Sequence, residues 1–222
     1  MDKYKIYTLN TKLSLSQLKE MILENTTQDE NTYDFELLKY SPESISFKFS
    51  EKKILETSLL DKNGKEQVIE YLHIDSFNFQ IIENTNSFYL LLINPTRSLK
   101  FFKNTLSEIL DYSIGLSDIN LDPLEWLENI EKNSNERFQI LSIEIKDIIF
   151  DSKTNGSMIF KSTLDLRTTY KEFLNIKNYK VSKVLLNNND FYRGKFILSK
   201  DASFQIESLN SNKFLEVLIT SL

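Results

Sequence analysis

The chain of 222 residues has no cysteine, one histidine (His73), one alanine (Ala202), three prolines and four glycines. Each shortage removes a class of chemistry. Without cysteine there is no disulfide, thiolate nucleophile, iron–sulfur cluster or cysteine-bearing zinc site. One imidazole cannot supply the paired histidines of an H-E-x-x-H metal site. Gly64, Gly115, Gly156 and Gly194 lie at least 38 residues apart, so no dinucleotide-binding turn, phosphate-binding loop or nucleophile elbow can form, since each needs glycines close together. The longest wholly apolar run, Phe88–Ile93, is far below the ~20 residues of a membrane-crossing helix. Met1–Lys5 lacks the apolar run of a secretion signal. These shortages predict a soluble, cytoplasmic chain with no membrane contact, and they imply no cofactor. The wealth of Lys, Asn and Ile beside a single Ala fits AT-rich bacterial coding.

What the chain does have is core-forming material: 41% hydrophobic residues, with 16 Phe and 10 Tyr, enough to rule out wholesale disorder. Tyr4–Leu9 reads as a strand. Ser14-Leu15-Ser16-Gln17 is a capping box, with Leu13 and Leu18 at the staple positions, and predicts a helix over 15–24. Tyr33–Tyr40, Ile45–Ser50 and Ile54–Leu60 read as strands. Asn63-Gly64 predicts a two-residue hairpin turn that pairs Leu59 with Val68, Leu55 with Leu72 and Ile54 with His73. Phe77–Ile82 and Ser87–Ile93 add strands, and Leu99, Phe102, Leu106 and Ile109 mark one face of a helix near 97–112. Asp122-Pro123-Leu124-Glu125 combines an N-cap, a first-turn proline and a first-turn acid, with Leu121 and Trp126 as staple, and opens a helix running to about Glu131.

The second half repeats the mixture. Phe138–Phe150 and Met158–Leu166 read as strands joined by a loop containing Asn155-Gly156. Thr169 and Glu172 cap a short helix bearing Phe173 and Leu174. Val181–Leu186, Tyr192–Leu198 and Phe204–Ile206 are further strands, and Phe214, Leu215 and Leu218 mark a closing helix. The expected fold is α+β: mostly antiparallel sheet or sheets with four to five short helices, in an N-terminal half over 1–116 and a C-terminal half over 117–222. The link between them falls near Ser113–Leu121. Both halves end in a Ser-Phe strand followed by a helix (Ser87-Phe88, Ser203-Phe204), which leaves duplication and coincidence both open.

Three groups of residues are candidates for function. Asp34, Glu51 and Lys53 follow the Asp…Glu-x-Lys order of a Mg²⁺-dependent nuclease. Glu144-Ile145-Lys146 and Asp151-Ser152-Lys153 repeat the short pattern, about as often as so acidic and Lys-rich a chain produces it by chance. Asp147 and Asp151 alternate in phase with Ile143, Ile145 and Ile149. They point toward a core unless a bulge or a lysine intervenes.

The third group is defined by charge. Residues 153–200 hold ten Lys or Arg against three acids, whereas the whole chain is −5. Aromatics (Tyr170, Phe173, Tyr179, Phe191, Tyr192, Phe196) interleave with these cations. Such a stretch suits an acidic protein partner or a nucleic acid with accessible bases. It equally suits solvated lysines above a core of Phe and Tyr. The expectation is a non-catalytic interaction module, a subunit of a larger bacterial complex such as one acting in defence against mobile DNA, docking through Lys180, Lys183, Tyr192, Arg193 and Lys195. The alternatives are a nucleic-acid-binding protein using the 179–196 hairpin and the nuclease built on Asp34, Glu51 and Lys53.

Overall fold

The structure, a computed structural model, describes residues 1–26, 32–60, 62, 64, 66–84, 87–149, 154–167, 169–170, 179–208 and 210–222. Asn63 of the expected turn, Asp151–Lys153, and Glu172, Phe173 and Leu174 of the expected short helix lie outside these. The chain is mostly antiparallel sheet, 53% strand against 22% helix. It divides into two compact units, one of residues 8–117 and one of residues 1–7 with 118–222. The first strand, β1 (Asp2–Thr11), contributes residues to both.

The 8–117 unit holds β2 (Tyr33–Tyr40), β3 (Ser44–Leu60), β4 (Glu66–Asn84), β5 (Ser87–Ile93) and β6 (Ile114–Asp118, its last residue excepted). The strand order is β2-β3-β4-β5-β1, with β6 also on β1. Helix α1 (Leu15–Glu24) starts at the expected capping box: the Gln17 amide donates to Ser14 Oγ at 3.3 Å, and the Ser14 amide to Gln17 Oε1 at 2.9 Å. Its buried stripe is Leu15, Leu18 and Ile22. Helix α2 (Lys100–Ile109) brings Phe102 within 5.1 Å of the Phe49 and Phe79 rings and 5.0 Å of Phe77. Phe47 pairs with Phe79 and Phe49 with Phe77. The odd-numbered residues of β3 and β4 therefore face the helices, and the even-numbered ones face away.

Two expectations for this unit are corrected. The two strands at 45–50 and 54–60 are one continuous β3, because Glu51-Lys52-Lys53 pairs with Asp75, Ile74 and His73 in unbroken register. That register is one residue off the two-residue turn: Leu59 pairs with Gln67, Leu55 with Tyr71 and Ile54 with Leu72. The last rung is Leu60 with Glu66, and Gly64 has φ +78°. A longer hairpin loop with glycine in the left-handed region has replaced the primed turn. The stretch near Ser113–Leu121 contains β6, tied to β1 by a Thr11 hydroxyl donating to the Ser113 carbonyl at 3.1 Å, and the division between the units falls within it, after Ser117.

The other unit orders its strands β1-β11-β10-β9-β7-β8. They are β7 (Gln139–Ile149), β8 (Asn155–Lys161), β9 (Lys180–Asn188), β10 (Gly194–Ser199) and β11 (Ser203–Ser208). Asn155 and Gly156 thus belong to a strand and not to a loop. Helix α3 (Pro123–Ser134) has Asp122 accepting from the Leu124 amide at 2.8 Å, Pro123 in its first turn, and Asn135 in the left-handed conformation at its end. Helix α4 is Ser211–Thr220. Phe214 of α4 packs 4.3 Å from Phe196 and 4.7 Å from Tyr192, and Trp126 Nε1 donates to the Leu218 carbonyl at 3.1 Å. Four helices stand among the described residues.

Phe102 closes the aromatic core of its unit. Phe102→Ala is expected to lower unfolding free energy by about 3–5 kcal/mol, measured by urea denaturation.

Candidate interaction surfaces

In the unit of β7–β11, strand alternation separates two chemistries. Val184, Leu186, Phe196 and Leu198 are buried against the helices. Lys183 pairs with Ser199, Leu185 with Ile197 and Asn187 with Lys195, so these six share the opposite face. On β7 that face carries Glu144, opposite Lys183, and on β8 it carries Ile159, opposite Glu144, and Lys161, opposite Ser142. Lys161, Lys183 and Lys195 are all exposed. A shallow pocket of about 180 Å³ lies among Glu144, Ile159, Lys161, Lys183, Leu185 and Ile197. Glu144 is the acid in this field. A hydrogen bond from Lys146 (2.9 Å), helped by Lys183, holds its carboxyl below the ordinary value despite partial burial.

The site residues expected from sequence divide accordingly. Register places Lys180 opposite Lys146 and on the same face as Lys183 and Lys195. It stands at the strand end, where it also borders a pocket with Asp122 and Glu125. Arg193 lies apart from them, its Nε donating to the Asp190 carbonyl at 3.2 Å beside a pocket shared with Asp2 and Glu207. Tyr192 is 4% exposed and stacks on Phe138. Burial raises its hydroxyl pKa, with Glu136 and Glu216 adding to the shift. Tyr170 and Phe196 are buried as well. Arg167 is held in a fork by Glu131, at 2.8 and 2.7 Å. Of the aromatics interleaved with cations in sequence, Tyr170, Tyr192 and Phe196 lie in the core, whereas Phe191 stays exposed with the Lys213 ammonium 5.2 Å from its ring; Lys161 is the unforeseen member of the lysine set.

Asp34, Glu51 and Lys53 do not converge. Asp34 pairs with Ser50 and so faces away from the helices, whereas Glu51 and Lys53 are on the helix-side parity. There Lys53 Nζ lies 2.9 Å from Glu51 and 2.8 Å from Asp75, and His73 Nε2 donates to Asp75 at 3.2 Å. His73 therefore faces Lys53 rather than Ile54. Asp147 does not enter the core: β7 bulges between Ile145 and Ile148, Asp147 has φ 55°, and its carboxylate is 3.8 Å from Lys200. The bulge resets the alternation, burying Ile148 and exposing Ile149.

A further surface escaped the sequence reading. β2 pairs with β3 only as far as Glu51, and β5 with β4 only as far as Asn78. Among the described residues the hairpin from Lys52↔Ile74 to Leu60↔Glu66 pairs with no third strand beyond the Lys52 amide, which donates to the Thr32 carbonyl at 2.7 Å, an arm about 30 Å long at ~3.3 Å per residue. Its face pointing away from the helices exposes Ile54 (73%), Val68 (62%), Leu72 (60%) and Ile74 (52%). The register carries the signal: the apolar rung Ile54↔Leu72 and the mixed rung Ser58↔Val68 flank a rung of two glutamates, Glu56 and Glu70.

An open groove of about 790 Å³ lies beside β1, its ionisable lining Lys12 and Tyr112. Among the described residues no three His, Asp or Glu side chains gather as a metal site, and no helix is long and apolar enough to cross a membrane. Compared with protein-family models and with curated proteins, the chain matches none.

The Asp75 carboxyl is held below its ordinary value by its hydrogen bonds to Lys53 and His73. A depressed carboxylate stabilises the fold above its unfolded pKa, and that stability is lost as pH falls through the folded value. A carboxyl-detected NMR titration is expected to place the Asp75 midpoint below 3.8, and Lys53→Met should return it toward that value.

Proposed function

We propose that the protein is a docking module, a subunit of a larger assembly, whose β8-β7-β9-β10 face binds an acidic protein partner. The observation that carries this reading is the gathering of Lys161, Lys183 and Lys195, with Lys180 at the margin, around aliphatic Ile159, Leu185 and Ile197 on one exposed face. Lysine ammonium groups set around aliphatic side chains match a partner that mixes carboxylates with apolar groups. Base stacking needs exposed aromatic rings; Tyr192, Tyr170 and Phe196 are in the core, and the exposed Phe191 ring packs edge-on against Tyr192 and beneath Lys213. Bidentate grip of phosphate favours arginine, and Arg167 is committed to Glu131. Both points favour a protein over a nucleic acid.

The test compares a fluorescent polyglutamate peptide with a single-stranded oligonucleotide of equal charge. The peptide is expected to bind at low salt. Lys161→Glu/Lys183→Glu/Lys195→Glu should weaken it at least about tenfold, while Lys12→Glu/Lys19→Glu/Lys39→Glu, an equal change of net charge elsewhere, should weaken it less. Absence of binding at low salt, or equal losses in both triple variants, refutes the proposal. Tighter binding of the oligonucleotide transfers the face to nucleic acid.

A further inference from the structure

The β3–β4 arm carries a different surface, independent of the lysine face. A two-stranded ribbon with neither a third strand nor a helix against it is marginal in water, yet this one extends nine rungs beyond the last rung that a third strand pairs with among the described residues. The even-numbered face also changes character along its length. Near the base it is polar, with Ser46↔Gln80 and Ser50↔Ser76; farther out it becomes aliphatic at Ile54↔Leu72 and Val68. We propose that this outer face is a homodimer interface, two copies packing arm on arm about a two-fold axis through the Ile54–Leu72 rung.

The order of charges makes the face complementary to itself. Reading outward, the rungs are Lys52↔Ile74, Ile54↔Leu72 and Glu56↔Glu70. A two-fold axis at the middle rung lays Ile54 and Leu72 on their own copies. It also lays Lys52 of each chain over Glu56 of the other, with that chain's Glu70 beside it across the ladder and facing Ile74. Two carboxylates directly opposite on a strand pair repel one another. Within one chain Lys52 is two rungs away, about 13 Å at ~3.3 Å per residue, and Lys53 is on the other face. Among the described residues neither glutamate is in a salt bridge. The cation that completes the pair arrives from the second copy.

The helix-side face of the arm has no such pattern. Its charges neutralise one another at the base, in the Glu51–Lys53–Asp75 cluster, and beyond them come Leu55↔Tyr71 and Thr57↔Ile69 without charge. Sheets packing face to face align within about 30°, which keeps the rungs in step over the short span that matters. Nine rungs of a two-stranded ribbon give a face about 30 Å by 10 Å, smaller than the ~800 Å² per partner of a standard interface. The dimer is therefore a reversible one, and a two-fold contact closes without propagating.

Sedimentation velocity of the full chain over a wide concentration series tests this. The wild-type protein is expected to pass from monomer to dimer. Lys52→Glu gathers like charges across the axis and should weaken dimerisation at least about tenfold, as should Glu56→Lys/Glu70→Lys. Mixed one to one, these two variants should form a heterodimer, because each then supplies the charge the other lacks; circular dichroism on each variant checks that it is folded. A wild-type chain monomeric at its highest concentration, a Lys52→Glu dimer as tight as wild type, or folded variants that fail to associate when mixed would each overturn the proposal.

Discussion

The pairing of Phe47 with Phe79 and of Phe49 with Phe77 decides the side of every residue from Ser44 to Leu60. Side chains in a strand alternate with period two, so a register anchored by buried phenylalanines extends outward whether or not anything covers the later rungs. Near the base the consequence is ordinary: Phe102 closes over the odd-numbered face and the even-numbered face is polar. Past Glu51 the same alternation lifts two sets of aliphatic side chains into solvent. The cluster of Glu51, Lys53, His73 and Asp75 marks the boundary on the helix side, where the aromatic core ends and the uncovered ribbon begins.

The second unit obeys the same rule with a different outcome. A sequence window rich in both lysine and aromatics resembles a mixed binding surface while it is read as a line. Folding into strands sorts it by parity, sending Val184, Leu186, Phe196 and Leu198 inward and Lys183, Lys195 and Leu185 outward. Tyr192 and Tyr170 follow the apolar set. Interleaving of charge and ring in this stretch is thus the signature of amphipathic strands more than of a stacking platform.

Local chemistry was legible where a few neighbouring residues decide the outcome. The Ser14–Gln17 box and the Asp122-Pro123 cap each fix a helix start within one turn, and both helices begin there. The existence of most strands was equally readable. The hairpin register was not: Asn63-Gly64 favours a two-residue turn, and the loop that formed shifts every pair by one, so Ile54 meets Leu72 instead of His73. The bulge at Asp147 is likewise invisible to a count by twos, which is why that carboxylate seemed aimed at the core. β6 was missed because Ile114–Asp118 has few strand-forming residues, and its place comes from pairing with β1. Exposure of the arm was the least legible feature. It depends on where β2 and β5 stop, which no residue within the arm records.

The outer rungs of the arm are held by their ladder hydrogen bonds and little else, so opening from the tip requires breaking only the rungs beyond the fork. Protection of backbone amides against deuterium exchange should therefore decline stepwise from Asp75 toward Glu66, while Phe77 and Phe79 report the opening of the whole core. Along each strand it should alternate as well, since every second amide points sideways, away from its hairpin partner, with no neighbour to receive it.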